Sequence, residues 1–419
     1  MIRIIHTADW HIGQTLAGYP REVEHRAALD RLVAFVAERE ADALIVAGDI
    51  FDSQNPSGES QRLFYDTLVA LNRARPEMTT VVTAGNHDAA GRLEAPHALL
   101  SAIGVRVVGN VHRIGGAIDG PIDIGRHLVA LRGAGGEIAA HVLALSYPSA
   151  ACLRSLTRID GDEGSPVVRA TADLYREAMD AARPLVAGLP LVVTGHLHVA
   201  GGLESEGAER RILVGGAHAV PPDVFPAEAA YVALGHLHKA QSVGRETIRY
   251  SGSLIPLSAA EQPYRHGVTL VTLDGRAAPV VEHIEIARPV PFWRLPQTGE
   301  MRLGELADHL TALGLPTDLA PDARPFIQVR LARDGLSPGF RAEIDRIADA
   351  FPVRLVDVRL TPLAEGVAPA SLDGPIRRLA ELEPHDLFAQ AFARQHGMAP
   401  ERAHLDVFHL AESLVETGA

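Results

Sequence analysis

Five short polar clusters stand at the ends of apolar runs that have the length of buried strands. They are Asp9-Trp10-His11, Gly48-Asp49-Ile50-Phe51-Asp52, Gly85-Asn86-His87-Asp88, Gly195-His196 and Gly235-His236-Leu237-His238. Four follow their run directly, and Asp9 follows the first run after two residues. This placement constrains the fold more than any other property of the chain. In α/β sheets the carboxyl ends of strands are where ligands bind. In Asp9-x-His11 and His236-x-His238 the polar residues are two apart, so extended backbone turns both side chains to one face. The neighbouring glycines allow tight turns and close approach of the backbone.

The runs between the clusters alternate in type. Ile2–His6, Ala43–Ala47 and Thr79–Thr83 read as buried strands, while Glu22–Glu40 and Ser60–Arg73 repeat apolar residues at helical spacing. That β-α-β-α-β order predicts an α/β sheet with parallel strands. Further strands are expected at Val105–Val108, Val142–Ser146, Leu191–Thr194, Tyr231–Leu234, Ile248–Tyr250, Val268–Leu273 and Val280–Ile286. So many strands point to a core of two sheets. The motif-rich part, residues 1–285, ends near His283. Arg288-Pro289-Val290-Pro291-Phe292-Trp293 then reads as a linker into a second unit at 286–365. That unit has a β-α-β pattern of Phe326–Ala332, Ser337–Ala350 and Val353–Leu360. Residues 361–375 read as a second linker. The remainder of 366–419 carries two amphipathic helical patterns, Glu383–His396 and Pro400–Thr417.

Composition sets limits on function. Of the 39 basic residues only one, Lys239, is Lys. A nucleotide-binding loop of the G-x-x-x-x-G-K-[ST] type needs a Lys after its second Gly, and Lys239 follows Gly235-His236-Leu237-His238 instead. Any ATP dependence therefore comes from a partner. The net charge of −13 argues at first sight against nucleic acid. The single cysteine, Cys152, forbids an internal disulfide and fits a reducing compartment. No run approaches the ~18–20 apolar residues of a membrane helix, and the start of the chain is too short in apolar residues for a signal peptide. The expectation is a cytoplasmic protein.

Gathered at one place, the clusters make a two-metal site. Asp9, His11, Asp49 and His238 can surround one ion. Asp49, Asn86, His196 and His236 can surround the other, with Asp49 bridging. These oxygen and nitrogen donors suit Mn²⁺, Fe or Zn²⁺ and are too rich in imidazole for Mg²⁺ or Ca²⁺. Two ions about 4 Å apart can activate a bridging water and stabilise both attacking and leaving oxygens of a phosphoryl centre. His87 is not needed as a ligand. With its other nitrogen facing Asp88, it can give a proton to a leaving alkoxide.

The ordered series D-x-H, G-D-x-x-D, G-N-H-D, G-H, G-H-x-H resembles the calcineurin-like metallophosphoesterases. Within them, His6–Gly13, Val46–Asp52, Tyr231–His238, Tyr250–Ser253 and Ile255–Ser258 resemble the SbcD-type nuclease subunits of bacteria. The resemblance implies a four-layer αββα metallophosphoesterase domain, a small α+β capping domain that meets DNA, and a C-terminal helical segment that docks on a partner. The implied activity is Mn²⁺-dependent cleavage of DNA, as a 3′→5′ exonuclease on duplex ends and an endonuclease on single strands and hairpins. The implied partner is an SbcC-type coiled-coil ATPase, in a heterotetramer with two nuclease subunits.

Several residues have plainer readings. His198 is surplus to a filled coordination shell. Asp52 reads equally as an acceptor for a ligand His or as a turn residue. Trp10 reads as packing. His25, His97, His112 and His141 have no motif around them. Two other functions would use the same residues in part: a phosphoesterase of small phosphodiesters or phosphoproteins, and a non-catalytic scaffold that binds DNA ends.

Overall fold

The computed structural model describes residues 1–154, 165–205, 219–275, 277–333, 336 and 339–361, with scattered residues between 388 and 408. From the N-terminus, β1 (Ile2–Thr7), α1 (Glu22–Glu38), β2 (Ala43–Ala47), α2 (Gly58–Ala74), β3 (Thr79–Thr83) and β4 (Val105–Val108) form a parallel half-sheet. The chain then builds a second sheet from β5 (Leu128–Arg132), β6 (Ile138–Leu143), β7 (Leu191–His196), β8 (Tyr231–Gly235), β9 (Gln241–Val243) and β10 (Arg245–Tyr250), with α3 (Pro166–Ala182) before β7. It returns to the first sheet with β11 (Gly267–Leu273) and β12 (Val280–Glu285). The orders are β12-β11-β1-β2-β3-β4 and β9-β10-β8-β7-β6-β5.

The two sheets pack face to face. Ile2, Ile4, Ile45 and Val81 of the first meet Leu131, Val142, Val192 and Ala233 of the second. Ile5, Leu44 and Val46 point the other way, onto α1 and α2. This alternation explains why β2 is buried at every position: one face meets helices and the other meets a sheet. On the far side of the second sheet, Leu174, Tyr175 and Ala178 of α3 cover Val193 and Val232. The result is the expected four layers, αββα.

Within the two six-stranded sheets, two strands escape the sequence pattern. Leu128–Arg132 and Gln241–Val243 are antiparallel edge strands, short or only partly buried. The strand expected at Val142–Ser146 runs from Ile138 to Leu143 instead. It is drawn earlier by its hairpin with β5, while Leu145 N–H turns to the Thr194 hydroxyl.

The second unit holds β13 (Phe292–Leu295), α4 (Leu306–Thr311), β14 (Phe326–Leu331), α5 (Phe340–Ala348) and β15 (Arg354–Leu360), with all three strands parallel. It carries one strand and one helix more than the sequence pattern indicates. Phe292 and Trp293, the end of the stretch that reads as linker, instead open a strand that pairs with β14, more than thirty residues on. Leu306, Leu310 and Ile344 of the helices cover one face of this sheet. On the other face Phe292 and Phe326 join Leu16, Val290 and Ala259 in a small apolar cluster that seats the cap on the first unit. The Phe326 ring lies under two guanidiniums, Arg354 at 3.7 Å and Arg21 at 5.5 Å. Gln262 donates from its side chain to the Phe292 carbonyl at 3.2 Å. The linker at 361–375 and the two C-terminal helical patterns lie outside the described residues, apart from isolated positions. Among these, Phe388 stacks on Phe408 at 4.6 Å.

His6 sits between the sheets with no exposure. Its Nε2–H donates to the Leu234 carbonyl at 3.1 Å, and Nδ1 accepts from the Tyr231 hydroxyl at 3.0 Å. Burial pushes its pKa down to about 3. Burial does the same to His25, to about 3, and to His266, to about 4. Unfolding frees these imidazoles to take up protons below about pH 6.5. Stability is therefore fully present above that pH and falls as the pH drops towards 3, by up to about 1.4 kcal/mol per pH unit for each group. Urea unfolding across pH 7 to 4 is expected to show this fall. His6→Gln is expected to reduce its slope by about one group's share, and an unchanged slope would clear His6 of the effect.

Candidate metal centre

The clusters meet because the strand ends of both sheets come into contact. Asp9 N–H donates to the Gly48 carbonyl at 3.0 Å, His11 N–H to Asp49 at 3.0 Å and Ile12 N–H to Ile50 at 2.9 Å, which extends the β1–β2 pairing past both strands. From the second sheet, His236 N–H donates to the Asp9 carboxylate at 2.9 Å, and His196 Nδ1–H donates to the Ala47 carbonyl at 2.9 Å. Glycine is required at these joints. A Cβ on Gly235 would stand 2.0 Å from the Ala47 oxygen. One on Gly48 would stand 2.2 Å from His196 Nδ1, and one on Gly85 would stand 2.1 Å from Asp49 Oδ1.

Four of the candidate ligands hold left-handed backbone. Their φ angles are 54° at Asp9, 46° at His11, 50° at Asp49 and 103° at His236. Such conformations cost roughly 1–3 kcal/mol each in residues other than glycine and cluster at functional sites. The backbone at Asp9, His11 and His236 is therefore not the extended strand that their spacing suggests; left-handed turns, not a shared strand face, bring these side chains together.

The seven candidate ligands converge. Asp9, His11 and His238 place donor atoms within 4.8 Å of one another, and so do Asp9, Asp49 and His196. Asp49 Oδ2 lies 3.5 Å from His11 Nε2 and 3.2 Å from His196 Nε2, which sets it between the two groups. Asn86 Oδ1 is 3.1 Å from His196 Nε2 and 3.2 Å from His236 Nδ1. All but Asn86 are buried.

Three of the imidazoles are held from behind. His11 gives Nδ1 to the Asp52 carboxylate at 3.2 Å, His196 gives it to Ala47, and His238 gives it to Glu261 at 2.9 Å. Each then directs Nε2 inwards, the arrangement typical of metal-bound histidine. His11 Nε2 is buried and has no hydrogen-bond partner among the described residues. A buried, unpartnered imidazole nitrogen facing a carboxylate is costly unless a cation completes it, so the donor set fits divalent metal.

The charges agree. Burial would raise the Asp49 pKa, but His196, His11 and His87 outweigh it and hold the carboxyl far below its usual range. Burial alone would lower His196, yet Asp49 and Asp9 carry it up to about 9. Asp9 is raised, first by burial and also by Asp49.

Asp88 departs from its expected place. Its carboxylate accepts backbone N–H groups from Gly85 at 2.8 Å, Phe51 at 3.0 Å and Ile50 at 3.1 Å. It ties the Asp49 and Asn86 loops together and does not orient His87. That task falls to Asp52, whose carbonyl accepts from His87 Nδ1 at 2.8 Å. Asp52 thus serves both His11 and His87. His87 N–H donates to Asp49 Oδ1 at 2.8 Å, and its ring stands edge-on to His11 at 4.7 Å.

His198 pairs with Glu204 at 3.1 Å, outside the donor groups. Trp10 packs on Phe64 and donates to the Thr7 hydroxyl. His25 and His112 make structural bonds, to the Arg21 carbonyl and to Glu94.

A calcineurin-like phosphoesterase family model matches residues 2–239, which include every cluster described above. The chain is 47% identical over 93% of its length to the SbcD protein of the SbcCD nuclease of Rhodobacter capsulatus, and it covers 94% of that protein. The chain belongs to the SbcD family of calcineurin-like phosphoesterases. SbcD proteins of two other bacteria are also similar. The one from Bacillus subtilis is 39% identical over 64% of this chain and 66% of its own length. The one from Escherichia coli K12 is 30% identical over 85% of each. A second family model, described as Type 5 capsule protein repressor C-terminal domain, matches residues 288–396. Glu261 lies between the two matched spans. It escapes sequence reasoning because it stands alone, with no second polar residue at ligand spacing.

Gly85→Ala is expected to force the Asn86 and Asp49 loops apart. Divalent-metal binding in calorimetric titration should weaken, with a stability loss of about 1–3 kcal/mol. Gly91→Ala, where a Cβ meets nothing within 4 Å, should change neither.

Proposed function

We propose that this chain is the metal-dependent nuclease subunit of a complex with an SbcC-type coiled-coil ATPase, acting on DNA in repair and recombination in the cytoplasm. The observation that carries the reading is the convergence of seven oxygen- and nitrogen-bearing side chains from both sheets beside a histidine that is not one of them. Two divalent ions, with Mn²⁺ favoured, would be held by Asp9, His11, Asp49 and His238 and by Asp49, Asn86, His196 and His236, with Asp49 between them.

When bound, the ions supply Lewis acidity and an activated water for attack on a phosphodiester. The protein supplies position and a proton. His11, His196 and His238 are locked by the acceptors behind their Nδ1 atoms, so little reorganisation is left for the reaction itself. His87 keeps Nδ1–H on the Asp52 carbonyl, so Nε2 is the atom that would give a proton to the departing oxygen. Asp88 acts at one remove, by fixing the loops that carry Asp49, Asn86 and His87.

The partner is supported by the relatives' names, which are those of SbcCD subunits, and by the sequence. No Lys follows a Gly-x-x-x-x-Gly segment, so ATP turnover belongs to the other component. The acidic chain offers little free basic surface, so DNA ends would be held jointly, by the cap and the ATPase, in a heterotetramer with two nuclease subunits. Exonuclease action in the 3′→5′ sense on duplex ends, and endonuclease action on single strands and hairpins, complete the reading.

His87→Ala is expected to lower Mn²⁺-dependent cleavage of DNA by about 10²–10⁴-fold while the metal stoichiometry is unchanged. Full activity in that variant would overturn the assignment. Cleavage of a small phosphodiester with no response to DNA length would favour a small-substrate phosphoesterase instead.

A further inference from the structure

We propose that Glu261 is a positioning residue for the metal centre, acting through His238. The inference rests on the metal-centre reading above and does not depend on the nature of the substrate. Glu261 has no exposure and sits in a single 3-10 turn, Ala259–Glu261. It lies 23 residues after His238. Its two oxygens face different ways. Oε1 accepts from His238 Nδ1 at 2.9 Å and from the Ser205 hydroxyl at 3.1 Å. Oε2 accepts from Leu257 N–H at 2.8 Å. A carboxylate that accepts from Nδ1–H fixes the imidazole tautomer and ring plane, so Nε2 is held towards Asp9 and His11.

The turn that carries Glu261 is itself clamped. Gln14 donates to the Leu257 carbonyl at 2.8 Å. Arg21, fully buried, donates to the Pro256 carbonyl and forms a two-bonded pair with Glu24 at 2.8 and 2.9 Å. A buried carboxylate held this firmly is pre-organised to orient its neighbour and need not move when the site fills. Glu261 thus does for His238 what Asp52 does for His11 and Ala47 does for His196.

The test is calorimetric titration of the full chain with Mn²⁺ alone, with the thermal melt followed in parallel. Glu261→Gln keeps the size of the side chain but leaves one oxygen to serve the donors that two oxygens serve now, among them His238, Ser205 and Leu257. It is expected to weaken one of the two Mn²⁺ sites by about 10-fold, and Glu261→Ala by up to about 100-fold, while the other site is nearly unchanged. Ser205→Ala removes a second contact of the same carboxylate and should leave both sites as they are. Unchanged Mn²⁺ binding in a folded Glu261→Gln protein would overturn the proposal. So would an equal loss at both sites, or a loss of the same size in Ser205→Ala. No DNA is present in the titration. A wild-type protein that binds Mn²⁺ as expected here but fails to cleave DNA with an SbcC-type ATPase present would therefore sink the nuclease reading and leave this one standing.

Discussion

The close approach of two backbones at the ends of the sheets governs everything else in this protein. Ala47 of the first sheet and Gly235 of the second come so near that no side chain fits between them. The Ala47 carbonyl has already accepted His196 from the opposite sheet. This contact decides where the two sheets stop sliding past each other. Once it is made, the residues after β1, β2, β3, β7 and β8 have one volume to share, and that volume is the metal centre. The face-to-face core brings the sheets to the right separation, but apolar packing has no direction. Hydrogen bonds and missing side chains at the strand ends supply the registration.

The site is held by compensation. Four left-handed residues and a set of buried ionisable groups would be unstable on a soft scaffold. The strain is tolerated because backbone bonds continue past the strands and because the Asp88 carboxylate is committed to three backbone N–H groups. Burial and charge pull against each other at each member. Asp49 and His196 stabilise one another's charged forms, while His236 is kept well below the usual imidazole range, first by burial and then by the His196 charge. Donor atoms of Asp9, Asp49 and His196 already lie within 4.8 Å of one another, an arrangement that fits a divalent cation.

Much of this is legible in the sequence, and the reasons are local. The clusters at Asp9, Asp49, Asn86, His196 and His236 each follow an apolar run. Strand-end placement is a short-range pattern, so the layers and the meeting of these side chains can be read without coordinates. What fails to show depends on distance along the chain. Glu261 reaches His238 across 23 residues. Asp52 serves His11 across 41 residues. Phe292 and Trp293 look like linker because their partner strand lies so far ahead. Asp88 misleads for the opposite reason. Adjacency to His87 suggests a contact, but neighbouring side chains diverge, and the carboxylate finds the loop amides instead.

The turn at 259–262 has one more consequence. Residue 261 grips His238, and residue 262 grips the first strand of the cap, with Ala259 wedged into the seat between the units. A single peptide link separates the two grips. The seat of the cap and the orientation of His238 thus share one turn of backbone, so neither contact can be repositioned without moving residues that make the other.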